Sequence, residues 1–263
     1  MLTSDAAERG LRAADLDAVA LKPAECDVSK ALELPVETVV VDYEGHEHFP
    51  DNDLLALLGA EKTLRVTTPV RADGFDPLGD DSVVRALPDD AKRVLVAGHG
   101  AYLSPEEGER AVAPRFGEAV ETADDAWVGT EGIERIALAT GATQFELLSG
   151  TTARDVRAMR AAGFEGEVAV YAPTVLTDDE DTVLDSVGAY AARRRPVREA
   201  LPDDAPTDGT ATGRAREVLS RAVRDYALVG DVGSVQEHVA TLREAGVDTV
   251  VGYPARGVEA FLD

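Results

Sequence analysis

A chain of 263 residues with 44% hydrophobic side chains is long enough for one barrel-sized domain or two small ones, and too apolar for global disorder. Its 50 acidic against 26 basic residues leave a net charge of −24, which argues against nucleic acid or an anionic membrane as a partner. The single cysteine, Cys26, excludes an internal disulfide framework and any multi-cysteine metal site.

The N-terminal stretch MLTSDAAERG is polar and acidic, unlike a secretory signal, and no apolar run is long enough to span a membrane, so a cytoplasmic location is expected. Short β-branched runs then alternate with helical patterns. LDAVALK (16–22) and ETVVVDY (37–43) predict the first two strands, and Asp51 ahead of Leu54, Leu55 and Leu58 predicts a capped helix. LRVTTPV (64–70) and RVLVAGH (93–99) are the third and fourth strands. Ser104-Pro105-Glu106-Glu107 combines an N-cap, a first-turn proline and a capping-box acid. AWVGT (126–130) and QFELLS (144–149) are the fifth and sixth strands. Thr152-Ala153-Arg154-Asp155 opens a helix that Gly163 stops, and EVAVYAP (167–173) is the seventh strand.

The interval before the last strand is longer than the others. Thr177-Asp178-Asp179-Glu180 opens a helix expected to reach about residue 195, and LPDDAPTDGTATG (201–213) reads as a surface loop. YALVG (226–230) is a ninth apolar run, read as a short extended segment feeding the last helix. Ser234-Val235-Gln236-Glu237 opens that helix, with Val235, Val239, Leu242 and Ala245 on one face and Gly246 at its end. DTVVGYP (248–254) is the eighth strand. The alternation predicts parallel βαβ units and a single (β/α)8 TIM barrel over residues 1–263, with an open doubly wound sheet as the alternative.

Barrels of this kind place their chemistry at the carboxyl ends of the strands. That rule selects Lys22, then Asp42, Tyr43 and Glu44, then Thr67, Thr68 and Arg71, then His99. It continues with Thr130, Glu131, Glu146, Tyr171, Thr174, Tyr253 and Arg256. GYPARG (252–257) sets Arg256 and the Gly257 amide after the last strand, where an anion is expected to bind unless Arg256 pairs with an acid such as Glu259. Ser149-Gly150-Thr151-Thr152 offers hydroxyls at another helix start, either for an anion or for capping. Asp42, Glu44, Glu131 and Glu146 are candidate acids and bases, with solvated or Arg-paired carboxylates as the plainer reading.

His46-Glu47-His48 with His99 has the residue types of a metal site. The two histidines are expected in a loop, however, and no metal is expected. Cys26 reads as an incidental thiol, and Arg193-Arg194-Arg195 with Arg198 as a charge-balanced helix end. There is no Walker loop, no G-x-G-x-x-G after a strand, no G-x-S-x-G and no H-E-x-x-H.

Residues 226–257, YALVGDVGSVQEHVATLREAGVDTVVGYPARG, resemble the end of the luciferase-like barrel family. Gly230, Val235, Leu242, Arg243, Ala245, Gly246, Val247 and Asp248 stand at the matching places. The stretch AYAARRRPVREAL (189–201) resembles the helical excursion that precedes the family's last strand. That family includes flavin-dependent monooxygenases and deazaflavin-dependent reductases such as methylenetetrahydromethanopterin reductase. The resemblance implies a barrel that binds FMN or the deazaflavin coenzyme F420 and moves a hydride to or from a small organic substrate, a pterin or folate among the candidates.

On that expectation Arg256, Gly257, Thr151 and Thr68 contact the cofactor, Glu131 or Asp42 assists proton transfer, and His99 contacts substrate. A homodimer is a further expectation. Four lysines leave 22 of the 26 basic residues as arginine; together with the spread acids this resembles chains from salt-accumulating cells, where screening removes self-repulsion. Two alternatives stand: a cofactor-free barrel plugged by Tyr43, Tyr171 and Tyr253, acting as a binding or regulatory protein, and a metal-dependent hydrolase using His46, His48 and His99.

Overall fold

The structure, a computed structural model, describes Leu11, residues 14–129 and residues 134–262. These pack as two compact units. One comprises Ala18–Glu146 with Glu165–Ala169; the other comprises the residues up to Asp17, Leu147–Phe164 and those from Val170 onward.

In the first unit β1 (Ala18–Leu21), β2 (Thr38–Val41), β3 (Thr63–Pro69), β4 (Lys92–Val96), β5 (Trp127–Gly129) and β6 (Thr143–Leu147) lie side by side in chain order, all parallel. The strands are short, β-branched and buried on both faces, as parallel strands under helices must be. Between them run α1 (Asn52–Glu61), α2 (Ser82–Ala86), α3 (Pro105–Glu109), α4 (Val112–Thr122) and α5 (Glu134–Thr140). Leu95, Ala97 and Val128 of the strand segments pack on Phe116 and Ala119 of α4 and Ala137 of α5. Asp51 caps α1 by accepting from the Leu54 amide at 2.9 Å, and the Ser104–Glu107 capping box forms as the sequence predicts.

The second unit holds α6 (Thr152–Ala161), β7 (Val168–Leu176, whose first residues fall in the first unit), α7 (Glu180–Ala192), α8 (Arg195–Ala200), α9 (Gly213–Tyr226), β8 (Leu228–Gly230), α10 (Val232–Ala245), β9 (Thr249–Pro254) and α11 (Glu259–Leu262). β8 runs parallel to the end of β7, with Thr174 opposite Leu228 and Leu176 opposite Gly230. Val183, Leu184 and Val187 of α7 pack on Leu219, Ala222 and Val223 of α9. A side chain at Gly188 would stand 2.2 Å from the Thr207 carbonyl oxygen, so this glycine lets the 201–213 connector lie against α7.

The fold is a (β/α)8 barrel with β1–β7 and β9 as its staves. The eight predicted strands are these staves. YALVG contributes β8, an extra strand beside β7 that feeds α10.

Three helix boundaries differ from the sequence reading. Asp179, not Thr177, caps α7, and Asp231 caps α10 three residues ahead of the expected Ser234. The helix expected to reach residue 195 ends at Ala192, because Pro196 has no amide to continue it and instead sits in the first turn of α8.

The motif L-R-x-A-G-V-D has a structural meaning. Arg243 donates to the Asp15 carboxylate (3.0 Å) and carbonyl (3.0 Å) and to Asp17 (2.9 Å). Arg160 donates to the Gly246 carbonyl at 2.7 Å and to Asp248 at 2.6 Å. Gly246 ends α10 at φ +104°, and a Cβ there would lie 2.9 Å from Arg160. Gly246→Val should therefore cost about 1–3 kcal/mol in chemical denaturation. An unchanged midpoint would contradict this account of the motif.

Within the first unit Arg65, 5% exposed, stacks over Trp127 at 4.0 Å and bonds the Asp125 carbonyl and carboxylate, both at 2.7 Å. Partial burial pushes the Asp125 carboxyl up, but Lys92 and Arg65 outweigh it and hold the group below its ordinary 3.8. A depressed carboxyl stabilises the fold above its unfolded value and loses that contribution as pH falls through the folded one. Asp125→Asn leaves a buried guanidinium short of a partner. It should cost about 1–3 kcal/mol at neutral pH and flatten the acid limb of a stability–pH profile, and an unaltered acid limb would be the contrary result.

Candidate functional site

In the first unit the ends of β2, β3 and β4 assemble one polar cluster. The Asp42 amide donates to Leu21 O at 2.9 Å, extending the β1–β2 ladder, and its half-buried carboxylate accepts from the Thr67 hydroxyl at 3.0 Å. Successive strand residues face opposite sides, so Thr67 and Thr68 cannot both accompany Asp42. Thr68 is fully buried; its hydroxyl donates to Val94 O and accepts from Arg93 Nε, each at 3.4 Å. It shares the side of Arg93, whose alternate neighbours Leu95 and Ala97 enter the helix layer. Of the two, Thr67 is the threonine beside Asp42, and Thr68, the expected cofactor contact, lies buried against Val94 and Arg93. Glu44 accepts the Ala24 amide at 3.0 Å, and burial pushes its pKa up against the opposing pull of that amide and Lys22.

Tyr43 turns into an aromatic cluster. Its ring centroid lies 5.1 Å from Phe75, 5.6 Å from His46, 6.2 Å from Phe49 and 6.5 Å from Tyr102. Tyr102 in turn lies 5.9 Å from His99, so the ends of β2 and β4 meet through one aromatic ring. His99 is exposed, and its Nδ1 accepts the Ala101 amide at 3.1 Å. That bond puts the proton of the neutral imidazole on Nε2 and makes Nε2 a donor. His46 and His48 lie in a 3-10 turn, with the His46 ring stacked on Phe75. No group of three or more potential metal ligands is gathered among the described residues. Behind the cluster Arg71 donates to the carbonyls of Ala97, Gly98 and Gly108, so this rim cation is engaged in holding loops.

The second unit contributes separately. Tyr171 and Tyr253 stack at 6.2 Å and 10°, and both are buried. The Thr174 hydroxyl is turned to Ala172 O. The Ser149 hydroxyl lies 3.2 Å from those of Thr151 and of Thr152 where the chain enters α6; Thr151 remains exposed. Arg256 is exposed. The Gly257 amide, expected to bind an anion, donates instead to Pro254 O at 2.9 Å in a turn at φ +88°, and α11 beyond it has only four residues. Thr130 and Glu131 lie outside the described residues.

With the strand ends in view, comparison with known proteins places the chain. The profile of one family of unknown function matches residues 11–261. The chain belongs to that family, DUF7388. No curated protein matches this DUF7388 sequence. Solved structures match its fold along nearly the whole length. An F420-dependent secondary alcohol dehydrogenase, in complex with an F420–acetone adduct, has a TM-score of 0.63 at 12% identity, covering 94% of this chain and 96% of that one. The coenzyme F420-dependent tetrahydromethanopterin reductase from Methanopyrus kandleri has a TM-score of 0.62 at 15% identity, with 93% and 95% covered. Apo-MsnO8 has a TM-score of 0.55 at 12% identity, with 95% and 97% covered. The likeness in fold, over more than nine-tenths of the chain, agrees with the barrel that the strand–helix alternation predicts.

The aromatic cluster makes a spectroscopic prediction. Burial first, then the nearby Glu107 and Glu47 carboxylates, push the Tyr43 hydroxyl from 10 up to about 12. A raised acid stabilises the fold fully below its unfolded value and loses that contribution as pH climbs toward 12. In an ultraviolet alkaline titration of the six tyrosines, Tyr43→Phe should remove a late-titrating component. Loss of an early component would place Tyr43 in water.

Proposed function

We propose that the chain is an oxidoreductase that binds a deazaflavin coenzyme and passes a hydride between it and a small organic substrate, a pterin being one candidate class. The fold likeness, over more than nine-tenths of the chain, to enzymes whose names carry F420 dependence supports the reading most directly. The donor set at the ends of β2–β4 fits such a group. Tyr43, Phe75 and Tyr102 form an aromatic wall, while the Asp42 carboxylate and His99 Nε2 offer one acceptor and one donor for the polar edge of a flat ring.

A deazaflavin supplies two-electron hydride chemistry when bound, so the protein's part is to orient, to exclude water and to manage a proton. Thr67 donates to Asp42 and fixes its carboxylate as a proton acceptor at the strand end. His99, its Nδ1 held by the Ala101 amide, presents Nε2–H to a substrate oxygen. In the second unit Arg256 and the Thr151 hydroxyl are the proposed anion contacts. The acid excess suits work in concentrated salt.

A second reading, a cofactor-free barrel with a binding role, draws on the burial of Tyr43, Tyr171 and Tyr253, which are 7%, 6% and 8% exposed. Absorbance and fluorescence titration in molar salt separates the two. Saturable binding of the deazaflavin coenzyme, weaker binding of FMN, and weakening by Arg256→Ala are expected. With substrate supplied, Asp42→Asn and His99→Ala should each slow turnover about 10²-fold. A folded protein that binds neither cofactor would move the assignment to the second reading.

A further inference from the structure

Between α7, α9, β8 and the start of α10 lies a pocket of about 310 Å3 inside the second unit, formed by none of the residues assigned above. Its apolar lining comprises Val183, Val223, Ala227 and Val229. Two opposite charges share that lining: Asp178, from the turn after β7, and Arg224, in the last turn of α9.

The other charges nearby are accounted for. Glu180 is held by Arg216, which donates to it at 2.7 and 3.1 Å, and it also feels the charge of Arg224. His238 lines the pocket too. Burial holds its imidazole below the ordinary value against the pull of Asp225, so at neutral pH it offers a hydrogen bond and no charge. Arg224 gives Nη1 to Ser220 O at 2.6 Å within its own helix, leaving its other N–H groups for a ligand. Asp178 makes no ion pair or hydrogen bond among the described residues, and it is exposed. An unengaged acid and an incompletely engaged base on one apolar floor complement a molecule that carries both charges on a short hydrocarbon body.

We propose that this pocket binds a small apolar zwitterion of the α-amino-acid type, with its ammonium on Asp178, its carboxylate on Arg224 and its side chain on the valine floor. Each charged contact is a charge-assisted hydrogen bond, and the floor supplies apolar burial. The assignment is independent of the coenzyme reading, and its test uses no coenzyme.

The experiment is calorimetric titration of the full chain with L-leucine, beside isoamylamine and isovalerate, which keep the same carbon skeleton with one charge each. Leucine should bind saturably and at least about tenfold more tightly than either single-charge analogue, the factor expected from losing one charge-assisted contact. Asp178→Asn and Arg224→Met, both at exposed positions, should each weaken leucine about tenfold while leaving the circular dichroism and melting midpoint unchanged. Absence of leucine binding to the folded protein overturns the proposal. So does equal binding of the amine or the acid alone, or leucine binding that neither substitution alters.

Discussion

Guanidinium groups hold this fold's loops. The strands run from three to nine residues, and several have only three or four, so their ladders alone fix little beyond the barrel wall. Arginine's planar fork reaches a carboxylate and a backbone carbonyl at once, which a lysine cannot do with the same geometry. The pattern recurs. Arg65 bonds both groups of Asp125, and Arg110 joins Arg71 O to Asp73 and Asp76. Arg160 joins two carbonyls to Asp248, Arg216 joins Gly209 O to Glu180 and Asp181, and Arg243 joins Asp15 to Asp17. A chain with 50 acids and few lysines therefore uses its scarce positive charge as connectors. Many are partly buried, where such bonds are worth more than surface ion pairs.

That constraint decides what remains at the strand ends for chemistry. Arg71 stands at the end of β3 like a ligand-binding cation, yet three carbonyls occupy it. Asp76, nearly fully buried, is tied by Arg110 and Arg115, and Glu107 accepts the amides of Asp73 and Ser104. These bonds hold the loops after β3 and β4 firmly behind Tyr43, Phe75 and Tyr102. What stays at the front is a small set: Asp42 with Thr67, and His99 with a defined donor nitrogen. A rigid backing with few polar groups in front suits a site whose chemistry resides in a bound cofactor.

Much of the fold was legible in the sequence because parallel strands buried on both faces read as unbroken β-branched runs, and ETVVVDY and EVAVYAP became β2 and β7. Less of the site was legible. Adjacent threonines after such a run carry no alternation to tell which faces Asp42; the structure sets Thr67 there and buries Thr68. The Gly257 amide looked free because its partner, Pro254 O, is fixed by a turn rather than by composition. The aromatic cluster draws on Tyr43, Phe49, Phe75 and Tyr102, which are spread along the chain among other aromatic residues, so their convergence had no linear signal. The valine-floored pocket had no linear signal, since its charges come from separate elements.

A deazaflavin is proposed to sit on the strand-end cluster around Asp42, Tyr43 and His99. Hydrogen–deuterium exchange with and without the coenzyme, in molar salt, tests it most directly. Slowed exchange in the backbone of residues 43–48 and 98–103, beyond any change in α9, is the predicted result. Binding that leaves both segments unprotected would contradict the assignment.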